Sequence, residues 1–152
     1  MKLKITIYLT LGLLVAAATA WSQTTKNQTA STEATELTLS IIGLENSTGR
    51  VRVAIYNSAD RFELGGERFM GLVLPIVDQV ASARISLPRG TYGIKVFHDE
   101  NQNEELDTFI FGIPAERYGF SNNPAAKFGP PEFKAAAFTL DSPAQKMTIE
   151  VQ

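Results

Sequence analysis

The chain has 152 residues and no cysteine, with 16 Asp and Glu against 14 Lys and Arg for a net charge of −2. Without cysteine there is neither a disulfide nor a lipid-attachment thiol, and one histidine leaves too few soft ligands for zinc. Nucleic-acid binding, which rests on basic residues neutralising phosphates, has little support from this charge balance.

Met1–Ala20 reads MKLKITIYLTLGLLVAAATA: two lysines, an apolar run, then small residues ending in Ala18-Thr19-Ala20. This is the pattern of an export signal cleaved after Ala20 or just beyond it. A retained membrane helix is the rival, but Thr6, Thr10 and Gly12 interrupt a run shorter than the roughly 20 apolar residues that spanning needs. Cleavage removes Lys2 and Lys4, taking Lys and Arg to 12 and the net charge to −4. The expected location is periplasmic, cell-surface or extracellular. Residues 21–35, including the polar QTTKNQTASTEAT, read as a disordered linker because they carry too little apolar surface to order themselves. Residues 36–152 have the length of one ordinary domain. The sequons Asn27-Gln28-Thr29 and Asn46-Ser47-Thr48 read as chance occurrences in Thr-rich and turn segments.

Leu37, Leu39 and Ile41 alternate with Thr38, Ser40 and Ile42, and beyond the polar turn Glu45–Gly49 the residues Val51, Val53 and Ile55 alternate with Arg52 and Ala54. Period two predicts strands, and these two are expected to pair as a hairpin. Ser58–Gly71 is a long loop that can hold a short helical turn and tuck Phe62, Phe69 and Met70 over one open end of the fold. Further strands are expected at Leu72–Val77, Ala83–Leu87, Thr91–His98, Ala135–Leu140 and Met147–Val151. Seven short strands without a long amphipathic helix predict an all-β, antiparallel sandwich carrying a long ordered loop.

Within Leu87–Asn101, LPRGTYGIKVFHDEN, Pro88 and Gly90 make a turn, after which Tyr92, Ile94, Val96 and His98 share one face. The L-P-x-G-x-Y entry into a valine-rich strand resembles that of prealbumin-like (Ig-like) bacterial surface domains such as the collagen-adhesin B-type repeats. That resemblance bears on fold and not on activity.

The stretch His98–Phe109, HDENQNEELDTF, gathers acids, amides and the one histidine. With Asp99 at the first position of an EF-hand-type loop, Asn101 falls third, Asn103 fifth, the Glu105 carbonyl seventh and Asp107 ninth. A hard cation wants such converging oxygens, with Leu106 anchoring the loop to the core. Glu104 replaces the usual glycine, and Ile110 stands where a bidentate glutamate closes the cage. Glu116 could supply that carboxylate by looping back. Calcium is the expected ion, weakly bound, at roughly 10⁻⁴–10⁻³ M. The plain alternative is a solvated connection built from Asx turns. A catalytic reading would set His98 beside Asp99 or Asp107 with Ser121 as nucleophile, or use Glu104 and Glu116 on a glycan. Strand neighbours face opposite ways, so Asp99 is badly placed to orient His98, which reads better as a hydrogen-bonded histidine at the core edge.

Phe111–Phe133 is broken by Pro114, Pro124, Pro130 and Pro131 and by three glycines, so no regular element is expected there. Its aromatic content predicts an ordered flap rather than a mobile linker. Tyr118, Phe120, Asn122 and Asn123 combine flat rings with amides, as a sugar or peptide contact needs, or else serve packing and turns.

The series GRVRVAIYNSADRF, LPRGTYGIKVFHDENQNEELD, FGIPAERYGFSNN and KFGPPEFKAAAFTL resembles an uncharacterised family of exported bacterial proteins, the domain of unknown function numbered twenty-one forty-one. The resemblance implies export, a compact β domain and no assigned catalytic residue, and its members often carry glycine at the position of Glu104. The expectation is therefore a non-catalytic binding or structural module of the bacterial envelope whose partner is an envelope protein or glycan. The alternative is a hydrolase of envelope glycans working through the loop carboxylates.

Overall fold

The computed structural model describes residues 34–125 and 129–152. The expected signal peptide, most of the expected linker, and Phe128 of the flap lie outside these residues. The elements are β1 (Ala34–Ile42), β2 (Arg50–Tyr56), α1 (Ala59–Leu64), β3 (Met70–Leu74), β4 (Ala81–Pro88), β5 (Gly90–Asp99), β6 (Tyr118–Phe120), α2 (Phe133–Ala136), β7 (Phe138–Leu140) and β8 (Ala144–Glu150), with a 3-10 turn at Ile110–Gly112. One sheet has the order β4-β1-β8. The other runs β3-β2-β5-β6, with β7 pairing the start of β5. Leu37, Leu39, Ile41, Ile85, Leu87 and Ile149 from the first sheet meet Val51, Val53, Ile55, Ile94, Val96 and Leu140 from the second in one core. The alternation read from the sequence is the alternation of burial, and the architecture is an all-β sandwich.

Four expectations are corrected. β1 and β2 do not form a hairpin: β1 pairs β4 and β8, whereas β2 pairs β3 and β5. Both strands offer one apolar face to the same core, which is satisfied equally by pairing or by facing each other across it, and periodicity alone does not separate the two cases. The chain crosses between the sheets through Gly49, where φ is +72° and a Cβ would sit 2.1 Å from the Asp99 carbonyl oxygen. The sandwich is not wholly antiparallel, because β8 lies parallel to β1. The strand expected over Ala135–Leu140 opens as α2 and becomes β7 only at Phe138. Finally, the flap contains a strand: β6 pairs Lys95, Val96 and Phe97 of β5. A three-residue strand survives between proline-rich flanks because a central strand supplies its partners. β1 includes Ala34 and the buried Thr35.

The L-P-x-G-x-Y stretch has a local cause. The Tyr92 hydroxyl donates to the Pro88 carbonyl at 2.9 Å, tying the strand back across the turn that feeds it, and burial raises the Tyr92 pKa.

Register places Arg52, Ala54, Tyr56, Gly71, Val73, Lys95, Phe97, Tyr118 and Phe120 on the outward face of the larger sheet, because residues paired across strands share a face. A solvated sheet face is normally polar, but this one is largely apolar. At one end α1 and α2 lie over it. Phe62 is fully buried there, with ring centroids 5.6 Å from Tyr56, 5.5 Å from Phe133 and 6.3 Å from Phe120. The helices thus close a second small core and leave the rest of the face open.

Candidate functional site

The open part of that face is the floor of a cleft of about 960 Å³. Ala54, Phe97 and Tyr118 lie on the floor, Leu106, Ile113 and Pro114 form a wall on one side, and Arg52, Arg68, Lys95 and Glu104 are its charged members. Its size suits a small-molecule site, which is typically about 300–1,000 Å³ and mostly apolar with a few placed polar groups.

The three cations differ in availability. Arg52 is committed: its Nε donates to Asp99 Oδ2 at 2.5 Å and an Nη lies 3.2 Å from Glu104 Oε1. Lys95 donates to the Phe62 carbonyl at 2.5 Å and sits 4.4 Å over the Phe62 ring. Burial lowers its pKa, and Glu63 partly opposes that shift. Its ammonium keeps two further donors. Arg68 is exposed and lies across Gly71, where a Cβ would come within 2.4 Å of its Nε. The bare glycine thus lets a guanidinium rest on the sheet at the cleft edge.

The acidic loop forms part of the adjoining wall. Asp99 is fully buried. Its Oδ1 accepts from the Asn103 N–H at 3.0 Å, and its Oδ2 accepts from the Glu104 N–H at 3.1 Å as well as from Arg52. Burial pushes this carboxyl's pKa upward, but the Arg52 guanidinium and the two backbone donors outweigh it and hold the pKa below the usual range. Asn101 Oδ1 also accepts from the Asn103 N–H at 3.0 Å, and Asn103 Oδ1 accepts from the Glu105 N–H at 2.9 Å. The amide groups of Asn101 and Asn103 donate to the two oxygens of Asp107 at 2.6 and 2.9 Å. Glu116 does loop back: Oε1 accepts from the Glu100 N–H at 3.0 Å and Oε2 from the Asp107 N–H at 3.1 Å, closing both ends of the loop. Glu104 holds φ +75°, the conformation that a glycine takes there without cost.

Asp99, Asn101, Asn103, Asp107 and Glu116 are therefore brought together, while Glu105 enters only through its backbone. Among the described residues no group of three or more His, Cys, Asp or Glu side chains is clustered tightly enough to hold a metal. Leu106 does not reach the core and lines the cleft instead.

The other predicted contacts divide. Tyr118 and Phe120 line the cleft. Asn122 donates to the Ala135 and Ala137 carbonyls, and Asn123 clamps β8 through the Thr148 carbonyl and the Glu150 N–H. Both asparagines have positive φ, 64° and 47°, so they build the turn after β6. His98 is buried, and its Nε2 donates to the Thr48 carbonyl at 2.7 Å. Ser121 Oγ donates to the Ala136 carbonyl at 2.5 Å and accepts from the Ile94 N–H at 2.9 Å.

Sequence reasoning missed Phe97, Lys95, Arg68 and the cleft itself. The available signal was the failure of β2 and β5 to turn polar on their outward positions, at Ala54, Tyr56 and Phe97.

Residues 39–148 match the model of a family described as "Uncharacterized protein conserved in bacteria (DUF2141)". No curated protein and no solved structure matches the chain.

Proposed function

The chain belongs to the uncharacterised bacterial family DUF2141, and we propose that it is an exported, non-catalytic binding module of the cell envelope. Its ligand is an amphipathic anion with an apolar body. The observation that carries this reading is the apolar outward face of the larger sheet, half covered by α1 and α2 and open over the remaining cleft. Exposing that surface to water is costly at roughly 25 cal/mol per Å², so a bound apolar body gains by covering it. Arg68 and the spare donors of Lys95 favour a carboxylate or sulfonate on the same ligand. The apolar lining argues for an acyl or aryl group over a free glycan.

The loop Asp99–Asp107 is the calcium element of this proposal. The ion would be held by oxygens of Asp99, Asn101, Asn103, Asp107 and Glu116 with the Glu105 carbonyl, and it would stiffen the wall that Arg52 ties to the cleft through Asp99 and Glu104. Its support is that Glu116 loops back to the Glu100 and Asp107 N–H groups and so brings its carboxylate to the Asp107 end of the loop.

Titration with 11-(dansylamino)undecanoate tests the cleft. The expected result is saturable fluorescence enhancement at one probe per chain, weakened several-fold by Arg68→Gln and abolished by Phe97→Asp. Non-saturating emission, or affinity unchanged in both variants, would refute the proposal.

A further inference from the structure

We propose that the hairpin closing the acidic loop is a membrane-docking tip. Thr108 bridges Pro114, the Phe109 N–H donates to the Ile113 carbonyl at 2.7 Å, and the Ala115 N–H donates to the Asp107 carbonyl at 2.7 Å. At its end Phe109, Ile110, Phe111 and Ile113 are 65%, 79%, 97% and 59% exposed. No charged residue occurs from Thr108 to Ala115. Scattered exposed apolar side chains are ordinary, but four on one five-residue tip are not. Phe111 also holds φ +69°, an uncommon conformation for a bulky residue that costs of order 1–3 kcal/mol. Its ring packs on almost nothing in the chain, so no internal contact offsets that cost.

The shape selects the occupant. Four apolar side chains, each more than half exposed, sit within five residues around one 3-10 turn, and a fluid apolar phase fills around such a turn without a matching cavity. A hairpin whose base strands bond each other also carries fewer open backbone groups into lipid than an open loop would. The depth reached by four such side chains is that of the headgroup and acyl boundary, about 5–10 Å.

Charge then sets the lipid. Glu104, Glu105 and Asp107 precede the hairpin and Glu116 follows it, with Glu116 bonded to the Asp107 N–H across its base and Glu104 paired to Arg52, so the chain entering and leaving the tip carries a net negative charge that would sit at the surface once the tip is inserted. An anionic leaflet repels that charge, so the surface is zwitterionic. Phe111, Ile113 and Pro114 also line the cleft, so docking brings its mouth to the bilayer. This inference does not depend on the cleft's ligand or on calcium.

The test is flotation of the chain recovered from an exporting host with phosphatidylcholine vesicles. Phe111→Ser should lower the partition coefficient about tenfold or more, as follows from losing a buried aromatic. Leu64→Ser, which removes an exposed leucine on α1, should leave it unchanged. In a Trp21→Phe background, Phe111→Trp should give an indole whose emission is quenched by lipids brominated near the headgroup end of the acyl chain. Equal flotation of Phe111→Ser and the parent overturns the proposal, as does an unquenched indole, which would mean another segment makes the contact. Stronger binding to phosphatidylglycerol overturns it too, as does a lipid-free dimer lost in Phe111→Ser, which would assign the tip to a second copy of the chain.

Discussion

Asp99→Asn isolates the polar junction between the acidic loop and the sheet. The carboxylate is fully buried and takes three donors: Arg52 Nε at 2.5 Å and the N–H groups of Asn103 and Glu104 at 3.0 and 3.1 Å. Asparagine has nearly the same shape but one acceptor oxygen, so its amide group must face either the guanidinium or a backbone N–H. One charge-assisted bond is lost and at least one buried donor is left against another donor, for a cost of about 3 kcal/mol. With a urea dependence of about 1–3 kcal/mol/M, the unfolding midpoint at pH 7 should fall by roughly 1–3 M. The effect has a definite pH dependence. The folded Asp99 pKa is depressed, so its stabilisation is fully present above the ordinary carboxylate value of about 3.9 and is lost as pH falls through the folded value. The gap between parent and variant should therefore be constant from pH 5 to 7 and narrow below about pH 3.9. An Asp99→Asn protein as stable as the parent at pH 7, or a gap that persists undiminished well below that pH, would refute the assigned role.

Calcium at about 10 mM, against a dissociation constant of about 10⁻⁴–10⁻³ M, should stabilise the parent by roughly 1.4–2.7 kcal/mol. Thermal melts should show the rise and show it lost in Glu116→Gln, while magnesium at the same concentration does less. Glu104→Gly relieves the cost of holding φ +75° at the expense of one exposed ion pair with Arg52. Its melting temperature should stay within a few degrees of the parent in thermal melts. At Gly93 a Cβ would meet the Phe133 ring at 2.9 Å and the Phe62 ring at 3.2 Å. Gly93→Ala should thus cost about 1–3 kcal/mol in urea unfolding by forcing α1 and α2 off the sheet.

The core was legible because Leu37, Leu39, Ile41, Val51, Val53 and Ile55 alternate cleanly, and alternation reports which face is buried whatever the strand pairs with. Pairing itself was not legible, since the same pattern suits a hairpin or two facing sheets, and β1 and β2 took the second. β6 was hidden because Tyr118–Phe120 is too short to show a period and owes its existence to β5. At the acidic loop the odd-numbered Asx residues foretold the Asx turns, and the need for a residue looping back pointed to Glu116. Arg52 was invisible as Asp99's partner because register across 47 residues of chain brings them together. Asn122 and Asn123 carried the right chemistry for a ligand, but their amides are spent on α2 and β8, a fate that depends on tertiary contacts alone.

The pairing of an apolar floor with Arg68 is best measured by calorimetric titration of decanoate and decanol, ligands that share a chain and differ in charge. Decanoate should bind the parent several-fold more tightly than decanol at pH 7, and Arg68→Glu should remove or reverse that margin while leaving decanol binding unchanged. Equal binding of the two to the parent, or a margin that Arg68→Glu leaves intact, would contradict the assignment of this cleft to an amphipathic anion.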